Sequence, residues 1–377
     1  MIEIDTLLVK VASRCNINCS YCYVYNMGDD GWTEMPKFMP SHTIKILTER
    51  LKEYLENNPE RLFALVLHGG EPLLIGSRRL ENMLLSLRSV LPEEHCISIQ
   101  TNGILITDNI LDICSNFKTS LSVSLDGPEK INDANRVGHR GEATYSRVLK
   151  GIEKLKHHAD CSFLFAGLLA VIDPNSNPEE IYNFFKDVGS PNVDFLYRDG
   201  NHDKLPYGKA SFHSVEYGYW LTSLLDVYLA DQTPIKIRIL DDVIRLALGG
   251  YGVKEGMGIT DFGIAVIDTD GTVTKNDTLK SSFKGADRFS EKWNICSHSL
   301  VDIFSSNEFA DAHLLQRANS AACLACPELG VCGGGMPLHR WKEGEGYENP
   351  SVYCKDQLHL INHLRTKLGV SGKKIHA

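Results

Sequence analysis

Arg14-Cys15-Asn16-Ile17-Asn18-Cys19-Ser20-Tyr21-Cys22-Tyr23 follows directly on Thr6 to Ala12, an apolar run that reads as a β-strand. The C-x3-C-x2-C spacing puts three thiolates on one tight loop at the end of that strand. Such a loop can hold three irons of a cubane iron–sulfur cluster and leaves the fourth iron without a protein ligand. An iron with an open position binds a small molecule directly, so the set reads as a reactive cluster, not a simple electron carrier. A zinc knuckle would want a fourth Cys or His nearby, and the next candidate, His42, is far along the chain.

Beyond this loop, strands alternate with amphipathic helical stretches. Helical patterning runs from Ser41, read as an N-cap, to Asn57, then over Ser77 to Leu91, Asp108 to Ser115, Tyr145 to His157 and Pro178 to Val188. Strands are expected at Leu62 to His68, Cys96 to Gln100, Leu121 to Leu125, Phe163 to Ile172 and Val193 to Tyr197. Strand–helix repetition of this kind implies parallel strands with right-handed crossovers. The fold class is therefore α/β, a partial (β/α)6 TIM-like barrel, with ligand-binding residues at the C-terminal ends of strands. After Arg198 the pattern changes. Asp199 to Ser214 is polar and reads equally as an active-site loop or a linker. Helices follow over Val215 to Ala230 and Leu240 to Leu248, then a Gly-rich stretch and a hairpin over Gly263 to Thr278, with Asp268-Thr269-Asp270-Gly271 as its turn. A second cysteine-rich module spans Cys323 to Cys354, and a closing helix, Lys355 to Leu368, precedes a tail expected to be mobile. The expected division is 1–200 for the barrel, 201–260 for a bridging region and 261–377 for a C-terminal auxiliary-cluster domain.

The chain has 377 residues and a formal net charge of -9. That balance argues against a nucleic-acid partner and against adhesion to anionic membranes. It contains no 18-residue apolar run. Met1-Ile2-Glu3-Ile4-Asp5 lacks a signal-peptide signature, so a cytoplasmic location is expected. Eleven cysteines in such a compartment read as ligands or core residues, not disulfides. Cys96, Cys114 and Cys161 fall in apolar patterns and are expected in the core; Cys296 is given a structural role. The histidines show no metal-ligand spacing.

His68-Gly69-Gly70-Glu71-Pro72 follows the second strand. Its two glycines let backbone approach a ligand closely, and Glu71 can accept from an ammonium group. An ordinary βα turn reads the same residues without a ligand. Thr101-Asn102-Gly103 ends the third strand. Ser122 and Ser124 end the fourth and share one face by alternation, where they can hydrogen-bond a ribose or carboxylate or simply face solvent. Arg136 can clamp a carboxylate.

In this order the motifs resemble the radical S-adenosylmethionine (SAM) superfamily, over roughly Leu7 to Arg198. The resemblance implies that Cys15, Cys19 and Cys22 hold a [4Fe–4S] cluster whose open iron is chelated by SAM. It implies that Gly69, Gly70, Glu71 and Pro72 meet the SAM amino group and that the Tyr21 backbone meets the adenine. Ser122, Ser124, Arg136 and Asn102 become candidates for the ribose and carboxylate. Reductive cleavage of SAM would give a 5′-deoxyadenosyl radical able to abstract hydrogen from an unactivated carbon.

The second set is Cys323-x2-Cys326-x5-Cys332, then Cys354 after 21 residues. From spacing alone, a structural zinc ribbon and an iron–sulfur site stand equal. The region resembles the SPASM extension of radical SAM peptide-modifying enzymes, which implies that these four cysteines are the full ligand set of one auxiliary [4Fe–4S] cluster. A full SPASM domain holds a second, inner cluster. Here Met336, Asn276 and the stretch Gly256 to Gly258 stand where its cysteines would, so two clusters in all are expected. Asp277 lies beside a lost ligand; in the related sulfatase-maturating enzymes an aspartate there acts as a base, and a turn-capping Asp is the alternative. Cys332-Gly333-Gly334-Gly335 with Pro337-Leu338-His339-Arg340-Trp341 resembles maturases that form three-residue cyclophanes. The implied activity is modification of a ribosomally made precursor peptide, with a C–C crosslink from an aromatic ring to the β-carbon of a nearby residue. A flavodoxin- or ferredoxin-type reductant is the implied partner. Because the barrel begins almost at residue 1, leader recognition is expected at the barrel rim, in the bridging region or on a separate protein. Alternatives are thioether formation, conversion of a Cys or Ser of a sulfatase to formylglycine, and a non-catalytic zinc-binding scaffold.

Overall fold

The computed structural model describes residues 1–369; residues 370–377, most of the expected mobile tail, lie outside the described residues. The described residues contain nine strands: β1 (Thr6–Ala12), β2 (Ala64–Gly69), β3 (Ile97–Thr101), β4 (Thr119–Ser124), β5 (Phe165–Val171), β6 (Asn192–Leu196), β7 (Lys236–Ile237), β8 (Ile264–Ile267) and β9 (Val273–Thr274). The chain divides into two compact units. One comprises 1–125, 132–167 and 262–313; the other comprises 126–131, 168–261 and 314–369.

In the first unit the strand order is β4-β3-β2-β1-β8-β9. All neighbours are parallel except β8 and β9, which form the expected hairpin. The Gly271 amide donates to the Asp268 carbonyl (2.9 Å) in its turn, and a φ of +88° there explains the glycine. The strands alternate as a half-polar sheet requires. Leu65 and Leu67 on β2, Ile97 and Ile99 on β3, and Leu121 and Val123 on β4 are at most 1% exposed. The positions between them, Val66, His68, Ser98, Gln100, Ser122 and Ser124, form a second, half-buried face. The helix Ser41–Asn57 buries Leu47, Leu51 and Tyr54. The Tyr54 ring stands edge-on to Phe63 and to Phe304 of the helix Leu300–Ser305.

In the second unit β6 lies between the Leu168–Val171 part of β5 and β7, all parallel. The helices Glu216–Ala230 and Cys354–Leu368 pack closely. The Gly218 amide donates to Asp356 Oδ1 (2.8 Å), and the fully buried Lys209 ammonium donates to Asp356 Oδ2 (2.6 Å).

Several expectations change. The residue before the first helix is Pro40, and Ser41 is already helical with no side-chain cap. The strand expected from Phe163 starts at Phe165, because Cys161–Leu164 forms a helical turn. Cys114 is in the core, but Cys96 is exposed just ahead of β3 and Cys161 is only half-buried, so neither is a core residue. Cys296 is exposed. The boundaries of Pro178–Val188 agree with the sequence for a local reason: Asn177 caps the amide of Glu179, Pro178 opens the helix and left-handed Gly189 closes it. Among the described residues, no helix is long and apolar enough to cross a membrane.

Candidate active site

The three-thiol loop leaves β1 at its C-terminal end. Cys19 is buried, Cys15 and Cys22 are half-buried, and all three are free thiols. The loop turns on itself, the amides of Cys22 and Asn26 donating to the carbonyls of Cys19 (3.0 Å) and Cys22 (2.8 Å). It is also held from outside. The Asn18 amide donates to the Val137 carbonyl (2.7 Å), the Ser20 amide to the Asn135 carbonyl (2.9 Å), and the His139 ring to the Cys15 carbonyl (2.9 Å). Arg136 donates to the Tyr21 hydroxyl (3.0 Å).

Burial pushes the Cys15 thiol up to about 12 and the Cys22 thiol up to about 11, and the neighbouring thiols add to the rise. Backbone N–H groups of Ile17 at Cys15, and of Val24 and Tyr25 at Cys22, oppose it. Three crowded thiols with amides aimed at their sulfurs suit an iron–sulfur cluster. Binding a cation releases the thiol protons, and the amides then stabilise the thiolates. No three His, Cys, Asp or Glu side chains among the described residues converge as ligands of a single ion. Cubane ligands each take a different iron and need no such convergence.

The Gly69-Gly70-Glu71-Pro72 turn binds the loop from the other side. A Cβ on Gly69 would stand 2.1 Å from the Ala12 carbonyl oxygen, and one on Gly70 would stand 2.3 Å from that of Arg14. The amides of Gly70 and Glu71 donate to these two carbonyls at 2.8 and 2.9 Å. The close backbone approach expected toward a ligand is thus made to the chain's own β1 and cysteine loop. The fully buried Glu71 carboxylate accepts from Leu73 N (2.9 Å), Thr101 Oγ1 (2.7 Å) and Asn102 N (2.8 Å), joining the ends of β2 and β3. Pro72 opens the short 3-10 turn Pro72–Ile75. Asn102 Nδ2 donates to Asn16 Oδ1 (2.7 Å) and lies 3.8 Å from Cys15 Sγ. Tyr21, Gly69, Gly70, Glu71, Asn102 and Arg136 are therefore gathered around the three cysteines. Ser122 and Ser124 lie on the half-buried sheet face, where Gln100 Nε2 donates to Ser124 Oγ (3.0 Å).

Asp277 is buried in a charge network that sequence reasoning missed. Lys10, on β1, meets Asp277 at 2.6 Å and Asp268 at 3.4 Å. Lys280 meets Asp277 at 3.4 Å, Asp29 at 4.0 Å and Asp287 closer still. Burial opposes ionisation of Asp277, but Lys10 and Lys280 outweigh it and hold the carboxyl well below the usual range. The one signal in the sequence was a lysine inside an apolar strand. A cavity of about 390 Å³ opens beside this network, lined by Lys10, Ser13, Gly69, Gly70, Asp268 and Lys280 among others.

The second cysteine set is assembled in the second unit. Cys323 and Cys332 are buried, Cys326 and Cys354 half-buried, and all four are free thiols. Burial pushes Cys332 up to about 12, with Cys354, Cys323 and Cys326 all close enough to raise it further. Its thiol donates to Gln357 Oε1 at 3.0 Å. Four thiols close enough to repel one another fit the donor set of one cluster or of one zinc ion. Gly333 takes φ +67°, and a Cβ there would stand 2.1 Å from the Gly258 carbonyl oxygen. Met336 packs within reach of a Cβ on Gly256, at 3.0 Å. The stretch Gly256 to Gly258 and Met336, two positions expected to lack inner-cluster ligands, are thus neighbours. Asn276 uses its side chain to accept from Thr278 N and Oγ1. Buried Arg340 donates to the carbonyls of Leu315, Gln316 and Arg317, which ties down the stretch of chain ahead of Cys323.

Residues 9–188 match the family model of the radical SAM superfamily. Over 375 residues the chain is 25% identical to the cysteine-type anaerobic sulfatase-maturating enzyme of Clostridium perfringens, covering 96% of this chain and 97% of the relative. It is 25% identical over 398 residues to the serine-type anaerobic sulfatase-maturating enzyme of Bacteroides thetaiotaomicron, covering 98% and 91%. The solved structure of native anSMEcpe with bound AdoMet and Cp18Cys peptide superposes with a TM-score of 0.80 at 22% identity, over 96% of this chain and 97% of that one. That likeness shows the fold, the partial-barrel α/β architecture expected from the strand–helix repeats. The loop of three thiols, the turn that clamps it and these whole-length likenesses make the chain similar to the radical SAM superfamily over residues 9–188 and to sulfatase-maturating enzymes over nearly its full length.

Proposed function

We propose that this chain is a maturase that removes two hydrogens from the side chains of a bound polypeptide, using a [4Fe–4S] cluster on Cys15, Cys19 and Cys22, SAM, and an auxiliary [4Fe–4S] cluster on Cys323, Cys326, Cys332 and Cys354. The observation that carries the reading is the presence of both donor sets, one of three thiols and one of four, in a chain alike over its whole length to polypeptide-oxidising relatives. When bound, the cluster and SAM supply a hydrogen-abstracting 5′-deoxyadenosyl radical. The chain's own residues orient and shield. Asn102 and Arg136 frame the cysteine loop, Ser122 and Ser124 offer hydroxyls on the open sheet face, and the Lys10–Asp277 pair holds fixed charge beside the cavity. A flavodoxin- or ferredoxin-type protein would supply electrons, in a reducing cytoplasmic setting.

The first reading of the product is formylglycine, from a Cys or Ser of a sulfatase, as in the named relatives. A second reading, a cyclophane crosslink within a precursor peptide, is favoured by one observation. The run Cys332-Gly333-Gly334-Gly335 with Pro337-Leu338-His339-Arg340-Trp341 resembles that of maturases that form such crosslinks. Anaerobic reconstitution and mass spectrometry of product peptides decide between them. A two-hydrogen loss with every cysteine still alkylatable and an altered aromatic residue supports the crosslink. A new aldehyde trapped by a hydrazine supports formylglycine. No peptide-dependent 5′-deoxyadenosine would rule out both.

A further inference from the structure

The half-buried face of the first unit's sheet carries a row of polar side chains that crosses five neighbouring strands. Lys10 pairs in register with His68 across β1 and β2, and Gln100 pairs with Ser122 across β3 and β4. The Leu67–Ile99 pair sets His68 beside Gln100, and the Val9–Ile267 pair sets Lys10 beside Asp268. The row therefore reads Asp268, Lys10, His68, Gln100, Ser122, with Ser124 joined to Gln100 by a hydrogen bond of 3.0 Å. Every member except His68 has a function visible in the fold or proposed above. Lys10 and Asp268 belong to the ion network, Gln100 donates to Ser124, and the serines offer hydroxyls on the same face. His68 keeps part of its surface open on this face, and its buried Nδ1 has no hydrogen-bond partner. It stands one residue ahead of the turn that clamps the cysteine loop.

We infer that His68 receives the proton that the substrate loses. The inference rests on the two-hydrogen oxidation proposed above. That oxidation divides into one hydrogen atom, taken from a substrate carbon to form 5′-deoxyadenosine, one electron, passed to an iron–sulfur acceptor, and one proton. The proton comes from the S–H, O–H or ring C–H next to the radical carbon. The electron pair of that bond stays with the substrate as the new double bond or restored ring, and the proton ends on the imidazole, which becomes imidazolium. Asp277 is the obvious competitor, but it is committed to Lys10 and Lys280. Burial lowers His68 to about 4, the Lys10 charge adding to the fall and Asp277 opposing it. It is thus neutral at working pH, yet it binds a proton more readily than Asp277, whose carboxyl is held lower still. Removing an electron from the substrate radical makes the adjacent proton strongly acidic, so a weak base is sufficient. An imidazolium there would gain the Asp277 carboxylate as a partner and pass the proton on toward the cavity.

The test uses the full chain, anaerobically reconstituted, with a synthetic peptide whose target cysteine carries deuterium at the β-carbon. Deuterium in 5′-deoxyadenosine reports the hydrogen-atom step, and aldehyde in the peptide reports the completed oxidation. In His68→Gln the ratio of aldehyde to transferred deuterium should fall by about a hundredfold, because the step before proton loss is left and the step after it is not. In His68→Gly that ratio should recover when imidazole is added. An unchanged ratio in His68→Gln, with deuterium transfer as in the wild type, overturns the role of His68 and leaves the maturase reading standing. Absence of deuterium transfer in the wild type overturns the formylglycine reading and this inference with it.

Discussion

Lys10 shows what a single side chain is asked to do here. It is 4% exposed and stands in a strand that is otherwise apolar. Burial disfavours its charge, but Asp277 and Asp268 outweigh that cost and hold the ammonium ionised. Lys10→Met would leave Asp277 leaning on Lys280 alone. We expect a loss of roughly 3–5 kcal/mol in unfolding free energy, and a smaller loss in Lys10→Met with Asp277→Asn, because the double change removes the stranded charge. Denaturant titration of all the variants checks this; a single variant as stable as the wild type would show the network to be screened by water. The two thiol sets separate by the same logic. Replacing Cys15, Cys19 and Cys22 by alanine should reduce iron from about eight to about four per chain, while Cys332→Ala should lower the auxiliary content and leave the reactive set in place. Iron assay with electron paramagnetic resonance distinguishes the two.

At the scale of elements, the β2 turn is where sequence and structure differ most usefully. The Gly-Gly-Glu motif was legible as a site because it ends a strand. That its glycines face Ala12 and Arg14, and that Glu71 joins two strand ends, was not legible, since those partners lie far away in sequence. Gly69 sits at φ +136° with the Ala12 oxygen 2.1 Å from any added Cβ. Gly69→Ala should therefore cost about 2 kcal/mol or more and lower iron incorporation at the three-thiol loop, while the four-thiol set still fills. A calorimetric Tm with an iron assay reads both. Helix ends followed a similar rule. Pro178–Val188 was readable to the residue because its start and stop signals are local, whereas Phe163 and Leu164, the end of the helical turn Cys161–Leu164, fell in an apolar run read as a strand.

For the whole molecule, burial lowers three histidines, His68, His95 and His339, and these shape the response to acid. Burial holds His68 down to about 4 and His339 down to about 3, against an ordinary value of 6.5. Between those values and 6.5 the unfolded chain binds more protons than the folded one. Stability is therefore complete above pH 6.5 and falls as pH drops through that window, by about 1.4 kcal/mol per pH unit for each ring. Unfolding curves at pH 7, 6 and 5 should show this slope, and His68→Gln should flatten it; a flat wild-type profile would contradict the neutral state of both rings. The strand–helix order of the first half was readable at this scale because parallel strands buried on one face leave alternating apolar marks. The ion network was not, because Lys10 and Asp277 are 267 positions apart and only the folded sheet brings them together.

The loop that carries the first three thiols is suspended from both sides by main-chain hydrogen bonds, to Ala12 and Arg14 through the β2 turn and to Asn135 and Val137. Those bonds hold its shape with the protein's own main chain. On the proposed reading, protein stripped of its cluster should therefore regain it from ferrous iron, sulfide and a reductant without passing through an unfolded state, which circular dichroism during reloading would check.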